Sequence, residues 1–463
     1  MRINFVILLM SFGIQAAAKN QPQISYEAYM EMVVEHHPMK RIADIQVEYG
    51  EAEVLKAKGA FDPNIQGNFQ GKEFDNSRYY NLLQGAVKIP TWAGVTVQGG
   101  YDQNDGEFIN AERFTPEQGL IHAGVTIALG QGMFIDKRRA EFRKALLAKD
   151  MAVEERKLIL NQLLFDAGSA YWYWFEKHHS EAVYMEAVAI AAQRLEGVRQ
   201  SAMLGDRPYI DTLETSIQLQ TRTLQLQKAN LEVRNAAALL SIYLWLEGEL
   251  PMTINPQSVP SPLDLISPSP VDLSILANIN ERIAAHPILI NKALEINQTE
   301  IDQRWKREQL KPNLDLKYNA LSEPTGNSEI ANFNSNDYTV GVSFSMPILL
   351  RKERASIRMA EYKVESQEMK ISIERQELWF KTRASFNEWD NVNQQLQIFE
   401  NTVQDYESLL NGETELFQIG ESSIFLLNSR ESNFLKAKVQ LIELLSRNKM
   451  AELKTLYSLA DLN

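Results

Sequence analysis

Two adjacent histidine pairs, His36-His37 and His178-His179, are the side chains most able to ligate a metal. Neighbours on a helix do not face the same way, so neither pair brings both imidazoles to one ion. No metal site is read from them. The run Tyr171-Trp172-Tyr173-Trp174-Phe175 could stack on a flat ligand. At helical spacing the same bulk packs helix against helix, and that is the reading adopted. There is no nucleophile elbow, phosphate loop or metal spacing, so neither an enzyme nor a cofactor is expected. The remaining chemistry is electrostatic. Gly205 and Gly420 are each followed by an acid, Asp206 and Glu421, and Arg207 and Asp211 stand beside the first. Such charges are either ordinary solvated groups or a pair that holds two segments together.

These glycines sit where long helical patterns turn. Residues 136–203 read as helix, roughly 100 Å at the usual rise, and a return helix follows over 209–246. On the return helix Ile217, Leu224, Leu231, Ala238 and Trp245 recur every seven residues, and so do Leu219, Leu226, Val233 and Leu240. The two series lie on nearly opposite flanks, which suits a helix standing in a ring with a neighbour on each side. A second long helix is expected over 351–417, with Ile357, Val364, Ile371, Leu378, Val392, Phe399 and Tyr406 in heptad phase and Ser385 the one polar member. A shorter return helix closes the chain over 423–459.

Before each long helix the period changes to two. Residues 64–71, Val87 and Ile89, 95–101 and 121–129 read as strands, followed later by 314–320 and 338–346. Each alternates an apolar face with Asn, Gln, Ser, Thr, Lys, Asp or glycine. Residues 102–119 read as a polar loop. Two helices precede each set of strands, broken at His37-Pro38 and at His286-Pro287.

The order repeats. His37-Pro38 to His286-Pro287 is an offset of 249, as is Pro63-Asn64 to Pro312-Asn313; Arg139-Ala140 to Arg354-Ala355 is 215, as is Gly205 to Gly420. The first half therefore carries about 34 extra residues among its strands. The expected organisation is a signal peptide over 1–18, with Arg2, an apolar run and a small-residue cleavage site, and a first repeat over 19–246 (strands about 64–129, hairpin about 136–246). A proline-rich linker over 247–272 and a second repeat over 273–463 (strands about 313–346, hairpin about 351–460) follow.

The net charge of −13 argues against a nucleic-acid partner. The absence of cysteine excludes disulfides, thiolate metal sites and a cysteine-borne lipid anchor. No stretch after residue 18 is apolar enough for a membrane helix. An exported chain of this kind enters a membrane only as a closed β-barrel. Four to six strands cannot close one alone, so the barrel must be shared between chains.

In this order of elements, in the His-Pro breaks and in the bends LGDRPYIDTLETS and IGESSIFLLNSRES, the mature chain resembles the TolC family of outer-membrane efflux and secretion channels. The resemblance implies a mostly α fold with β: long antiparallel coiled-coil hairpins forming an α-barrel, and strands given to a shared transmembrane β-barrel. It implies a homotrimer in the outer membrane of a Gram-negative bacterium, in contact with outer-membrane lipid and extending into the periplasm. It also implies a periplasmic adaptor (membrane fusion) protein and an inner-membrane pump of RND or ABC type. The function implied is the exit duct of a tripartite efflux or type I secretion system. A non-conducting periplasmic coiled-coil protein is the alternative. In the family the bends form the periplasmic tip that meets the adaptor and closes the tunnel. Carried over, the tip is Gly205, Asp206, Arg207 and Asp211 in the first bend. In the second it is Phe417, Gly420, Glu421, Ser422 and Leu426. The family often has arginine and aspartates where this chain has Ser422, Leu426 and Ser429, so any closing charge is expected on the first bend. The family also commonly has four strands per chain, and the extra segment at 79–100 either enlarges the barrel or packs elsewhere.

Overall fold

The structure is a computed structural model, described here over residues 22–324 and 333–462. The expected signal peptide lies outside the described residues. The chain divides into two compact units, each drawing on both halves of the sequence: 22–41, 160–277 and 381–462 form one, and 42–159 and 278–380 the other.

In the unit built around 160–277, α1 (Tyr26–His36) is capped by Ser25, whose hydroxyl accepts from the Ala28 N–H at 3.2 Å. The helix stops at His37-Pro38. There the imidazole Nδ1 of His37 accepts the Met39 N–H at 3.1 Å, so the histidine caps the helix that follows, α2 (Pro38–Lys58). The core is aromatic. Tyr29, Tyr171, Trp174 and Phe175 are almost fully buried and pack with Leu240 and Val392. The run 171–175 is thus helix-packing bulk. The core lies where α3 (Lys137–Met203) and α4 (Tyr209–Ser241) meet α6 (Arg351–Gln418) and α7 (Ile424–Tyr457). The proline-rich segment packs onto this unit. Val259-Pro260 pairs in parallel with Gln23-Ile24, Ser261 N–H donates to the Tyr171 hydroxyl at 3.4 Å, and Ser269 N–H donates to Asn448 at 2.8 Å.

The α4 pattern resolves differently from its sequence reading. Among the residues it buries, Thr215, Arg222, Ala229 and Ala236 recur every seven residues and are mostly small or polar, while of the expected apolar series only Leu240 is fully buried. Leu219, Leu226 and Val233 are half-buried beside them, while Ile217, Leu224 and Leu231 are 63, 66 and 53% exposed. One flank is therefore covered and the other open. Helix α4 also ends at Ser241, short of the expected 246, and residues 245–246 form a small ladder with 250–251. On α6 the heptad stripe turns inward throughout, with Leu378, Ser385 and Val392 fully buried.

The other unit holds the sheet. Its strands are β1 (Asn64–Phe74), β2 (Ser77–Pro90), β3 (Val95–Asp105), β4 (Leu120–Ala128), β5 (Asn313–Ser322) and β6 (Tyr338–Ser345). They form one antiparallel sheet in the order β6-β5-β4-β3-β2-β1. The extra segment at 79–100 is thus inside this sheet, as most of β2 and β3, and the loop expected over 102–119 begins only after Asp105. Helix α5 (Pro287–Glu308) leads into β5, and His286 caps it as His37 caps α2, with Nδ1 accepting the Ile288 N–H at 3.2 Å. Helical breaks stand at residue 278 as well as at 285–286.

The two faces of the sheet separate over the rows nearest Asn64, although Leu82, Leu120 and Leu321 stand on the polar face farther along. Ile65, Val87, Gly99, Ala123, Ala320 and Tyr338 form one continuous cross-strand row, and Asn64, Lys88, Gln98, Gly124, Asn319 and Thr339 the next. The first face continues through Phe69, Val97, Val125, Tyr318, Val342 and Phe344, and its edge residues stand 61–83% exposed except for Tyr338 at 51%. The second face carries a buried hydrogen bond from Gln98 Nε2 to Asn319 Oδ1 at 2.7 Å. It passes over Gly124, where a Cβ would lie 2.4 Å from that oxygen. Glycine is required there chiefly by the backbone of the neighbouring strand, since the same Cβ would lie 1.9 Å from the Tyr318 carbonyl oxygen.

Candidate functional site

The bends carry the sequence-derived site residues, and all lie in the aromatic-cored unit. Helix α3 ends in a Schellman turn. Gly205 has φ +81°, the Gly205 N–H donates to the Ala202 carbonyl at 3.2 Å, and the Asp206 N–H reaches Ser201 at 2.9 Å. Helix α6 ends in the same way: Gly420 has φ +84°, and the Glu421 N–H donates to the Leu416 carbonyl at 2.9 Å. Both glycines occupy a left-handed conformation that a side chain resists. Nothing lies within 4 Å of a Cβ at either place, so the requirement is purely conformational.

The side chains around the two turns differ. Helix α4 begins at Pro208 without a side-chain cap, and Asp211 lies in its first turn, where the helix dipole favours an acid. Asp211 lies 3.8 Å from Arg207. The Arg207 guanidinium stands over the Phe417 ring at 4.1 Å and donates to the Phe417 carbonyl at 3.4 Å. Three of the expected residues thus meet, and Arg207 ties the first bend to the helix entering the second. Asp206, Glu421 and Leu426 are exposed. Ser422 instead donates to the carboxylate of Glu413, nine residues back, and Arg430 lies 3.6 Å from that same carboxylate. Helix α7 is capped by Ser423, which accepts the Leu426 N–H at 3.3 Å.

A deeper cluster was not expected from the sequence. Glu431 of α7 is 3% exposed and pairs with Arg194 of α3, while Arg222 of α4 lies 3.9 Å away. Asn428 accepts from Arg194 at 3.1 Å and donates to Glu214 at 3.3 Å. Burial pulls the Arg222 guanidinium below its ordinary value, and Glu431 opposes that. Three helices are held at one buried carboxylate. The available signal was Arg222 in phase with Thr215 and Ala229, a series that an apolar count passes over.

Among the described residues no cluster of three or more potential metal ligands exists. His178 and His179 stand at 76° to each other; His179 bonds the Ser261 carbonyl at 2.9 Å. Burial, with His179 adding to it, pulls His178 from 6.5 down to about 4. Among the described residues no helix is long and apolar enough to cross a membrane.

Residues 278–460 match the family model for outer membrane efflux proteins. No curated protein sequence matches the chain. Among solved structures, the Campylobacter jejuni CmeC outer membrane channel is similar over 100% of this chain and 94% of its own, at 12% identity and a TM-score of 0.64. The open state of the Neisseria gonorrhoeae MtrE outer membrane channel covers 94% of this chain and 88% of its own, at 12% identity and TM-score 0.67. The Vibrio cholerae outer membrane protein VceC covers 94% and 96%, at 11% identity and TM-score 0.65. At these identities the likeness establishes the fold.

Proposed function

We propose that the chain, whose residues 278–460 match the family model for outer membrane efflux proteins and which shares the fold of solved outer membrane channels, is the exit duct of a tripartite efflux or type I secretion system. The protein is an outer-membrane efflux channel that extends into the periplasm. On our reading three copies assemble, and a periplasmic adaptor and an inner-membrane pump of RND or ABC type deliver the cargo. The repeats over 19–246 and 273–463, joined by 247–272, are a duplicated unit, and the helices pair as coiled-coil hairpins. The bends form the periplasmic tip, where Gly205, Asp206, Arg207, Asp211, Phe417, Gly420, Glu421, Ser422 and Leu426 meet the adaptor and close the tunnel.

The observation that carries the channel reading is the sheet with one apolar face left open. Ile65 is 83% exposed, Val342 67% and Phe344 68%. A water-soluble protein seldom exposes so continuous an apolar surface, whereas a lipid-facing barrel wall requires it, with a polar face toward the lumen. Fractionation tests it. The protein is expected in outer membranes as an SDS-resistant oligomer that heat dissociates, and to conduct ions in planar bilayers. Recovery as a soluble periplasmic species would sink the channel reading and leave the non-conducting alternative. The tripartite assignment is tested separately by co-purification with a tagged copy, which should bring down an adaptor and a pump.

A further inference from the structure

We propose that all six strands of each copy stand in the barrel wall and that β6 of one copy pairs with β1 of the next, so that three copies close an eighteen-stranded ring. This rests on the trimeric channel reading above and departs from the four strands per chain that the resemblance implies.

The two outer strands call for a partner. Every residue of β1 and every residue of β6 is exposed, and each strand presents one unpaired row of backbone N–H and C=O groups. In lipid such an edge is not tolerated, and in water it invites uncontrolled pairing. Each edge is the other's complement. With six antiparallel strands, β1 and β6 run in opposite directions, so joining β6 to the next β1 keeps the whole ring antiparallel. An odd number of strands would fail this test.

The faces set the register. With Ser345 opposite Asn64 of the next copy, polar residues meet polar ones. Phe344 then faces Ile65, Val340 faces Phe69, and Thr339 faces Gln70, which keeps the apolar face continuous across the seam. A slip of one residue would turn every side chain to the wrong face.

The stagger agrees. Within one copy the row starting at Asn64 runs through Lys88, Gln98, Gly124 and Asn319 to Thr339. Thr339 lies six residues short of the strand end at Ser345. Seating the next Asn64 at Ser345 makes each copy contribute six residues of stagger over six strands. A shear equal to the strand number is that of the eight-stranded barrel whose strands tilt by about 36°. That tilt lies within the roughly 35–45° of membrane barrels.

The additional strands cannot be set aside as an appendage. Strands β2 and β3 lie between β1 and β4, with β2 laddered to β1 from Ser77 to Lys88 and β3 laddered to β4 from Val95 to Asp102. Barrel diameter grows roughly linearly with strand number, so the ring is about half as wide again as one of twelve strands. Barrels of about eighteen strands leave an aqueous channel.

The chain has no cysteine, so engineered pairs report unambiguously. N64C/S345C, oxidised in isolated outer membranes, should give a ladder of linked dimer and trimer that reductant collapses, with neither single variant giving one. T96C/S345C, which would sit at the seam if β3 were the edge, should give none. Links from the second pair alone would overturn the six-strand wall and leave the trimeric channel standing. An oligomer linked by neither pair would overturn the seam. A monomer by native mass would remove the shared barrel and the seam together. If the variants do not assemble, an electron cryomicroscopy map of the unmodified oligomer decides the matter directly: eighteen strands in the ring support the proposal and twelve overturn it.

Discussion

The two bends share a backbone and differ in what holds them. Gly205 and Gly420 end their helices with the same pair of hydrogen bonds and nearly the same φ. Around the first, Arg207 reaches across to Phe417 on α6. Around the second, Ser422 reaches back to Glu413 on the helix it has just left, and Ser423 caps the next. The turn dictates glycine; it dictates nothing about the charges beside it. The polar side chains are therefore where the bends can take different tasks: one ties the two hairpins together, the other stiffens its own.

The comparison breaks most sharply at Glu431, which lies below both bends. Glu431→Ala leaves Arg194 and Arg222 facing each other in a buried site, and removing one partner of such a group costs about 3–5 kcal/mol. A thermal melt of the solubilised protein should show the largest fall of any variant named here. An unchanged melt would mean that the hairpins are held elsewhere, and the contrast between bends would lose its common foundation.

Acid offers a perturbation that ignores the bends. His178 and His286 are each pulled to about 4 by burial, and His286 Nδ1 must stay unprotonated to accept the Ile288 N–H. The unfolded chain binds these protons near 6.5, the folded chain only near 4. Stability is thus fully present above about 6.5 and is lost as pH falls toward 4. Melting temperature should fall through that window, and His286→Asn, which keeps an N-cap acceptor that does not titrate, should flatten the slope. A slope unaltered in that variant would assign the acid response to other groups.

Gly205→Ala and Gly420→Ala test the shared part of the comparison. Each places a Cβ at positive φ with open space around it, so each should cost about 1–2 kcal/mol and the two should agree. A clear inequality in their melts would show that the turns are not equivalent even in backbone.

How far the sequence told these things apart follows from what each signal depends on. Glycines at the ends of long periodic helices, the alternation of Ile65, Phe69, Val340 and Val342, and the two His-Pro breaks are local, and they could be read directly. The length of β2 was not legible. Tyr79, Tyr80, Leu82 and Leu83 do not alternate strictly, and only the structure, in which Leu82 and Leu83 pair with both β1 and β3, shows them as strand. The imidazole caps looked like mere breaks, because proline announces itself and the acceptor beside it does not. Ser422 looked like a lost charge, yet its partner Glu413 lies at a spacing that no turn motif specifies. The cluster at Glu431 joins residues from three helices, so no window of sequence contains it.

The finest prediction separates the bends themselves. Arg207 makes three contacts, with Asp211, the Phe417 ring and the Phe417 carbonyl. Asp211 makes only the first of these and Ser422 none of them. If the tip closes the tunnel by holding one hairpin to the other, Arg207→Ala should raise influx of a large antibiotic most, Asp211→Ala less and Ser422→Ala least. The first two groups are partly solvated, so each contact contributes at most about 1 kcal/mol, or about fivefold in the open population. Melting temperature should hardly move in any of the three. Equal influx in all three variants would remove the distinction between a bridging bend and a self-contained one. Greater influx in Ser422→Ala than in Arg207→Ala would reverse it and put the closing contact on the second bend, at Glu413.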